Sequence, residues 1–250
     1  MAEYEHNSSV DKEILTDIEN VGWTVILIEA TDYLPSFAYT IGLWKNYRHP
    51  ELISFGLTIK TLHQIINNAG EIVKSGQEII AGKTYDNFFN NSKTEFVKVD
   101  PRNIVNYLGF GIDYYKTIDI PAMQLVWTDR NDKFPWETDF EEEFIYKQPL
   151  LDRNADFKFR EAKNLAIFTT SHFLEQNKPI LTVIHDHDGD WQFLTGDSIE
   201  GNTKLVALEQ MTIRDKTLNE IFDLDYGEEA EREFVGGSWT RNKLEEYNEE

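Results

Sequence analysis

The sequence contains no cysteine among its 250 residues. This absence excludes disulfide bonds, zinc sites built on thiolates and a cysteine nucleophile. Long apolar runs are also missing, and the mean hydropathy of -0.49 argues against a helix that crosses a membrane. The first residues are acidic and polar, whereas a secretory signal has a basic start followed by an apolar stretch. We therefore expect a cytoplasmic protein.

Motifs for nucleotide binding and catalysis are absent as well. No Gly-x-Gly-x-x-Gly follows a predicted strand, and the Gly-x-x-x-x-Gly-Lys-Ser/Thr pattern of a phosphate loop does not occur. The nearest approach is Gly109-Phe110-Gly111, which we interpret as a turn. The Gly-x-Ser-x-Gly pattern of a serine nucleophile does not occur. The sequence thus offers no residue set for catalysis and no reason to expect a cofactor.

Basic residues are scarce relative to acidic ones. The chain has 45 Asp and Glu against 24 Lys and Arg, which gives a formal net charge of -21. Such a surface repels phosphate backbones and anionic membranes, so we expect neither a nucleic acid nor a membrane as a partner. It favours fast association with a basic protein. High solubility is the simpler reason for the same charge, and both interpretations stay open.

Apolar residues are sufficient for a folded core. Hydrophobic residues make up 40% of the chain and aromatic residues 13%, which is unlike a disordered protein. Apolar spacing of three and four residues predicts a helix over 59–73 with Thr58 as its N-terminal cap. Short apolar runs at 37–43, 51–57 and 123–127 predict strands. We expect an α+β fold with mixed, mostly antiparallel sheets and helices packed on one face.

Charge runs and Pro149 interrupt the periodic pattern between residues 137 and 160. We place the boundary between two segments there, with the first segment at 1–150 and the second at 151–250. We interpret the highly charged residues from Gly227 onward as a tail.

Several blocks of residues in the first segment have a specific order and spacing. They are Gly22-Trp23, Phe37 to Leu43, His49-Pro50-Glu51-Leu52, Gly56-Leu57, Gln124 to Asp129 and Phe134-Pro135-Trp136. In these blocks the segment resembles a bacterial family known as domain of unknown function 4262 (DUF4262). Thr128 departs from the family's pattern, which has a proline there. The resemblance implies one folded unit and carries no activity.

A second pattern lies in the second segment. It consists of Asp188 to Leu194, Gly196-Asp197, Asp215, Leu218, Leu224, Gly227, Ala230 and Arg232. In these residues the segment is similar to a module of bacterial immunity proteins, known as domain of unknown function 2185 (DUF2185) or immunity family 33. This similarity implies a protein that neutralises a toxin by binding it.

The run Phe37 to Leu43 (FAYTIGL) is the sharpest feature of the first segment. By the two-residue period of a strand, one face carries Phe37, Tyr39, Ile41 and Leu43, and the other carries Ala38, Thr40 and Gly42. A glycine inside a strand often marks a bulge, or a close approach of a ligand or of backbone.

With polar residues from neighbouring runs, this strand predicts a ligand pocket that has an aromatic wall. The predicted pocket residues are Tyr39, Thr40, Gly42, His49, Glu51, Gln124, Trp127 and Asp129. The alternative is an aromatic core in which Tyr39 is hydrogen-bonded and Gly42 opens a bulge. His49 and Glu51 suit a general base and its partner. A turn with a surface charge accounts for the same His-Pro-Glu equally well.

The run His185-Asp186-His187-Asp188-Gly189-Asp190 contains side chains that bind metals. A calcium loop has Gly at its sixth position and Glu at its twelfth. Counted from Asp186, Gly189 is fourth and the twelfth residue is Asp197. The flanking apolar runs and the Asp-Gly pair are typical of a hairpin turn. We therefore predict a hairpin and no metal site.

Acidic stretches supply a second type of candidate site. They are Glu141-Glu142-Glu143, Glu228 to Glu231, and residues 245–250. Aromatic residues lie near them in the sequence, and an aromatic anchor inside an acidic rim suits a protein interface. The predicted partner-binding residues are Asp188, Asp190, Trp191, Glu228, Glu229 and Trp239.

Two hypotheses of function follow. The first is a non-catalytic, immunity-type protein that neutralises a basic toxin or effector through an acidic surface. The second is a small-molecule-binding protein or an enzyme that uses the pocket around Tyr39, His49, Gln124 and Trp127. A closed, water-filled polar pocket favours the second hypothesis, whereas a flat acidic face with exposed aromatic residues favours the first.

Overall fold

The computed structural model describes residues 8–90, 92–198 and 202–245, so the acidic residues 246–250 lie outside the described part of the chain. The chain forms two compact units. The first comprises the residues up to Ala30 together with Pro35–Ala155, and the second comprises Thr31–Leu34 together with the residues from Asp156 onward. Among the described residues, no helix has the length and apolar character needed to cross a bilayer.

The first unit is built on one six-stranded sheet. Its helices are α1 (Ser8–Asn20), α2 (Leu43–Tyr47), α3 (Ile59–Lys74), α4 (Ile104–Tyr107) and α5 (Gly109–Tyr115), with 3-10 helices at Pro101–Asn103 and Glu142–Lys147. Its strands are β1 (Thr24–Ile28), β2 (Phe37–Ile41), β3 (Glu51–Phe55), β4 (Thr84–Phe89), β5 (Ser92–Lys98) and β6 (Ala122–Trp127). The strand order is β1-β2-β3-β6-β5-β4. Only the pairing of β3 with β6 is parallel in this sheet as described.

Helices cover both faces of this sheet, whereas the sequence predicts helices on one face. One core cluster joins α3 to one side of β2, β3 and β6. Another cluster joins α1, α4 and α5 to the opposite side, where Tyr39, Ile41 and Ile53 lie. The reason is that every residue of β3 is buried, so both of its faces need a cover. The predicted cap of α3 is confirmed, because the Thr58 hydroxyl accepts the Thr61 N–H at 3.2 Å.

The second unit has its own six-stranded sheet. Its strands are β7 (Ala166–Thr170), β8 (Thr182–His185), β9 (Trp191–Leu194), β10 (Thr203–Ala207), β11 (Glu228–Glu231) and β12 (Thr240–Lys243). Its helices are α6 (Ser171–Gln176), α7 (Leu208–Arg214) and a 3-10 helix at Lys216–Ile221. The strand order is β10-β7-β9-β8-β11-β12, and the described pairings are antiparallel except that of β7 with β9. The predicted α+β class with mixed, mostly antiparallel sheets is confirmed.

Three local predictions need correction. The strand predicted over 37–43 ends at Ile41, because Gly42 has a φ of 120° and redirects the chain. Leu43 consequently packs in the cluster that contains Ala38. The turn predicted at residues 109–111 is instead the start of α5. The tail predicted from Gly227 onward contains β11 and β12, because β11 finds a partner in β8.

Candidate functional site

A buried carboxylate, that of Glu51, lies at the centre of the predicted pocket. Glu51 is 1% exposed. Its Oε2 accepts a hydrogen bond from the Thr40 hydroxyl at 2.5 Å. Its Oε1 accepts the backbone N–H groups of Gly42 and Trp44, both at 3.0 Å, and the hydroxyl of Tyr115. All of these donors are uncharged, so hydrogen bonds rather than an ion pair hold the carboxylate.

This carboxylate fixes the junction between β2 and α2. The N–H groups that it accepts come from the start of α2, where no helical carbonyl can accept them. A methyl group on Gly42 would lie 2.7 Å from the carbonyl oxygen of Gly22 and 2.9 Å from the Cα of Trp23. The blocks Gly22-Trp23 and Phe37 to Leu43 of the sequence pattern therefore meet at Gly42. Only a glycine there leaves room for the backbone of Gly22 and Trp23.

Burial raises the pKa of Glu51, although the hydrogen bonds from Thr40, Tyr115, Trp44 and Gly42 oppose that shift. Burial and the nearby Glu51 carboxylate also raise the pKa of the Tyr115 hydroxyl, which keeps its proton and donates it to the carboxylate. A raised pKa is one mark of a catalytic acid. Here both oxygens of the buried carboxylate are occupied by internal donors, so the group has a structural role.

His49 and Tyr39 also make internal contacts. His49 is 6% exposed, and its Nδ1 lies 2.8 Å from the carbonyl oxygen of Pro50. Its Nε2 is buried and has no hydrogen-bond partner among the described residues. The donors to Glu51 do not include His49, so the structure does not assemble the predicted base and partner. The Tyr39 hydroxyl accepts the Phe110 N–H at 3.2 Å.

Gln124 holds the chain segment that returns along β6. Its Nε2 donates to the carbonyl of Pro149 at 2.8 Å, and its Oε1 accepts the Leu151 N–H at 2.9 Å. The Gln148 side chain makes a similar pair with the backbone of Trp127, at 3.2 and 2.8 Å. These side-chain amides replace the hydrogen bonds of a neighbouring strand, which buried backbone requires.

Trp127 and Asp129 bind backbone as well. The Trp127 indole N–H donates to the Phe55 carbonyl at 2.8 Å. The Asp129 carboxylate accepts the N–H groups of Asn131, Lys133 and Glu141 at 2.8 to 2.9 Å. Burial works against the charged form of Asp129, but these backbone donors outweigh it and lower the pKa.

The residues of the predicted pocket are therefore engaged in contacts within the fold. Thr40, Gly42 and Glu51 meet at the junction of β2 and α2. Gln124, Trp127 and Asp129 instead bind backbone at other places in the first unit. All eight residues predicted to line the pocket are buried. This arrangement corresponds to the aromatic-core alternative, in which Tyr39 is hydrogen-bonded.

A cleft of about 500 Å³ lies elsewhere on the first unit. It is formed by the end of α1, by α2, by the last turn of α3 and by α5. Its lining includes Leu15, Val21, Lys45, Tyr47, Lys74 and Tyr114. The eight residues of the predicted pocket do not contribute to it.

In the second unit, an aromatic cluster surrounds His185. The His185 ring stacks on Trp191 with centroids 4.0 Å apart, and Tyr33 and Tyr226 lie 4.7 Å away. Burial lowers the pKa of His185, although its hydrogen bond to the Leu224 carbonyl and nearby acids oppose the shift. Trp191 is 1% exposed. It was predicted to bind a partner, but a side chain stacked inside this cluster cannot contact one directly.

The predicted hairpin is present between β8 and β9. Its turn is closed by Asp186, whose Oδ1 accepts the N–H groups of Asp188 and Asp190, both at 3.0 Å. Asp188 and Asp190 are themselves exposed. Across the described ranges, no group of three or more His, Cys, Asp or Glu side chains is placed to hold a metal ion.

An exposed aromatic ring lies against this turn. Tyr226 is 40% exposed, and a methyl group on Gly189 would lie 3.2 Å from its Cε1 atom. Glu228 is paired with His185 in the register of β11 with β8, so it lies at the same end of the sheet. We call Asp188, Asp190, Tyr226 and Glu228 the acidic turn surface.

Other predicted partner residues lie away from this surface. Glu231 pairs with Thr182 and marks the opposite end of β11. The loop that follows exposes Phe234 by 63% and Val235 by 50%. Trp239 lies near this opposite end, directly before β12, with the Arg232 guanidinium 4.3 Å from its ring centroid. Glu229 lies between the two ends on β11.

Three residues that are important in the structure were not predicted from the sequence. Tyr115 is 64 residues from its partner Glu51, and nothing local in the sequence indicates that contact. Gln148 likewise acts on Trp127 across 21 residues. Tyr226 had a detectable signal, because it immediately precedes a glycine and an acidic run.

Comparison with protein families gives one match. The model described as domain of unknown function (DUF4262) matches residues 17–141, which is half of the chain. The matched range supports the resemblance of the first segment. No family match supports the resemblance of the second segment to DUF2185. No curated protein and no solved structure matches the chain.

Proposed function

This chain belongs to the DUF4262 family, and we propose that it is a non-catalytic cytoplasmic protein that neutralises a basic toxin or effector by binding it. The acidic turn surface of the second unit is the proposed contact. The observation that carries the proposal is the exposed Tyr226 ring, which lies against the turn that carries Asp188 and Asp190, with Glu228 at the same end of the sheet.

This surface suits a cationic side chain of a partner. A Lys or Arg over the Tyr226 ring gains about 0.5 to 1 kcal/mol at an exposed site. Neighbouring carboxylates add charge-assisted hydrogen bonds. Asp186 holds the turn through two backbone hydrogen bonds, so less conformational entropy is lost when a partner binds.

The first unit gives little support to the alternative function. The alternative function uses a pocket around Tyr39, His49, Gln124 and Trp127, and these residues are buried. Three of them donate to or accept from backbone in ways that hold the fold together. The proposal also agrees with the interpretation of the pattern from Asp188 to Arg232 as an immunity-type module, which rests on the sequence pattern alone.

The proposal is tested by capture from a lysate of the native host, with the full chain as bait. Wild type and the variants Tyr226→Ala, Tyr226→Phe and Phe234→Ala are compared by quantitative mass spectrometry. We expect one basic protein, retained stoichiometrically by wild type, Tyr226→Phe and Phe234→Ala. Tyr226→Ala retains roughly fivefold less, because a cation–π contact is lost.

Phe234 is the matched control, since it is also an exposed aromatic residue beside β11. Tyr226→Phe keeps the ring that packs near His185 and so controls for folding. Equal retention by all four baits, or loss with Phe234→Ala instead, contradicts the proposed surface.

A further inference from the structure

We propose that the cleft on the first unit binds a small anion that carries a carboxylate or phosphate group on an apolar body. This inference is independent of the proposed function, because it concerns the other unit and another class of ligand. It rests on two positioned ammonium groups, the exposed apolar walls and the size of the cleft.

Two lysines from different helices line the cleft. Lys45 Nζ donates to the Tyr114 hydroxyl at 2.9 Å and lies 5.0 Å from that ring's centroid. Lys74 Nζ donates to the Val21 carbonyl at 3.1 Å and lies 5.5 Å from a Trp23 ring centroid. Both ammonium groups are thus held in place by uncharged acceptors. Neither takes part in an ion pair with a described carboxylate.

Lys45 and Lys74 bring two positive charges to one cleft of a chain that has 45 acidic residues against 24 basic ones. An ammonium group has three N–H donors, and the contacts above use one on each lysine. Glu19 is the acidic residue in the lining, against Lys45 and Lys74. An anion bound between the two lysines would accept the remaining donors and supply the missing negative charge.

The walls of the cleft indicate that the ligand is more than a bare anion. Leu15 is 48% exposed and Val21 is 37% exposed, and the rings of Tyr47 and Tyr114 also line the space. Ligand pockets have volumes of about 300 to 1,000 Å³ and combine apolar walls with a few polar groups. The cleft of about 500 Å³ fits an aromatic or alkyl body that carries the anionic group.

The test is an NMR titration of the full chain with three probes that share a phenyl ring. Phenyl phosphate and phenylacetate are anionic, and benzyl alcohol is neutral. We expect saturable shifts of the Gly22 and Asn46 amides, which line the cleft, with at least one anionic probe and none with benzyl alcohol. The stronger anionic probe identifies phosphate or carboxylate as the preferred group. No saturable shift with either anion overturns the proposal.

Matched lysine variants locate the binding. Lys45→Gln and Lys74→Gln should each lower the affinity for the anionic probe by roughly fivefold, which is the effect of losing one partly exposed charge pair. Lys74→Arg retains binding, because it keeps the charge and a donor to Val21. Lys60→Gln is the control, since Lys60 is exposed on the same helix α3 but does not line the cleft. Equal weakening by Lys60→Gln also overturns the proposal.

Discussion

At the scale of single residues, the first unit depends on polar side chains that satisfy buried backbone. Glu51 accepts the first N–H groups of α2, and Gln124 and Gln148 replace strand hydrogen bonds beside β6. A buried polar group that loses its partner costs about 1 to 3 kcal/mol. These side chains therefore contribute to folding although their residue types suggest a binding site.

Removing the Glu51 carboxylate tests this interpretation. Glu51→Ala removes the acceptor of the Thr40 and Tyr115 hydroxyls and of the Trp44 N–H, whereas the Gly42 N–H keeps the Tyr115 hydroxyl as an acceptor. We expect the free energy of unfolding to fall by at least about 3 kcal/mol. The measurement is urea unfolding of the purified variant. Asp86→Ala, an exposed acid on β4 of the same sheet, should change it by less than about 0.5 kcal/mol.

A loss below about 1 kcal/mol for Glu51→Ala contradicts the structural role, because Thr40, Tyr115 and Trp44 would each lose an acceptor in a buried or partly buried place. We expect the loss of unfolding free energy for Glu51→Gln to lie between those for Glu51→Ala and Asp86→Ala. Glu51→Gln keeps the side-chain volume and one acceptor oxygen, but its amide group faces donors.

At the scale of elements, the hairpin of β11 and β12 is anchored by one buried arginine. Arg232 is 5% exposed. Its guanidinium donates twice to the Ile180 carbonyl, at 3.0 and 2.8 Å, once to Thr217 at 2.6 Å and once to Asp215 at 2.5 Å. The planar fork of arginine suits such a set of acceptors, and lysine could not reproduce it. The hairpin that carries Glu228 is thereby fixed to the rest of the second unit.

We predict that Arg232→Met lowers the local stability of β11 by about 3 kcal/mol, because it removes a fully buried guanidinium and leaves the partly buried Asp215 carboxylate without its ion-pair partner. Native-state hydrogen exchange of the β8 and β11 amides measures this loss. Arg241→Met is the matched control. Arg241 lies on β12 of the same hairpin and pairs with Asp223, which precedes the hairpin. Its side chain is 23% exposed, so we expect a loss of local stability below about 1 kcal/mol. Equal losses contradict an anchoring role specific to Arg232.

Elements with a strong local signal were predictable from the sequence. The cap and apolar spacing of α3 identified that helix, and the Asp-Gly turn identified the hairpin of β8 and β9. The hairpin of β11 and β12 was not predictable, because an acidic run suits an exposed strand and a solvated tail equally well. Its formation depends on pairing with β8, about 45 residues earlier in the chain.

The candidate site shows the same division. A close approach of backbone was one of three interpretations of Gly42, beside a bulge and a close ligand, and the structure places the Gly22 carbonyl there. The ligand pocket predicted around it depended on how distant residues meet. Tyr115 closes the site over Glu51 from 64 residues away, and no pattern in the sequence predicts that contact.

At the scale of the whole molecule, the dominant property is the net charge of -21. A general excess of acid raises the rate of encounter with any basic protein, and salt weakens that effect. Specific recognition needs particular carboxylates at particular positions. The proposed function therefore requires that the carboxylates of the acidic turn surface contribute more to binding than the same number of carboxylates elsewhere on the protein.

Substitutions that remove a negative charge separate the effect of overall charge from the effect of particular carboxylates most directly. The double variant Asp188→Asn with Asp190→Asn is compared with Glu78→Gln with Asp86→Asn, which removes the same charge from exposed positions of the first unit. Retention of the basic host protein is measured for both at low and moderate salt. We predict roughly tenfold less retention with the first variant, and near wild-type retention with the second. Equal retention by the two variants would show that only overall charge matters, and would contradict binding at the acidic turn surface.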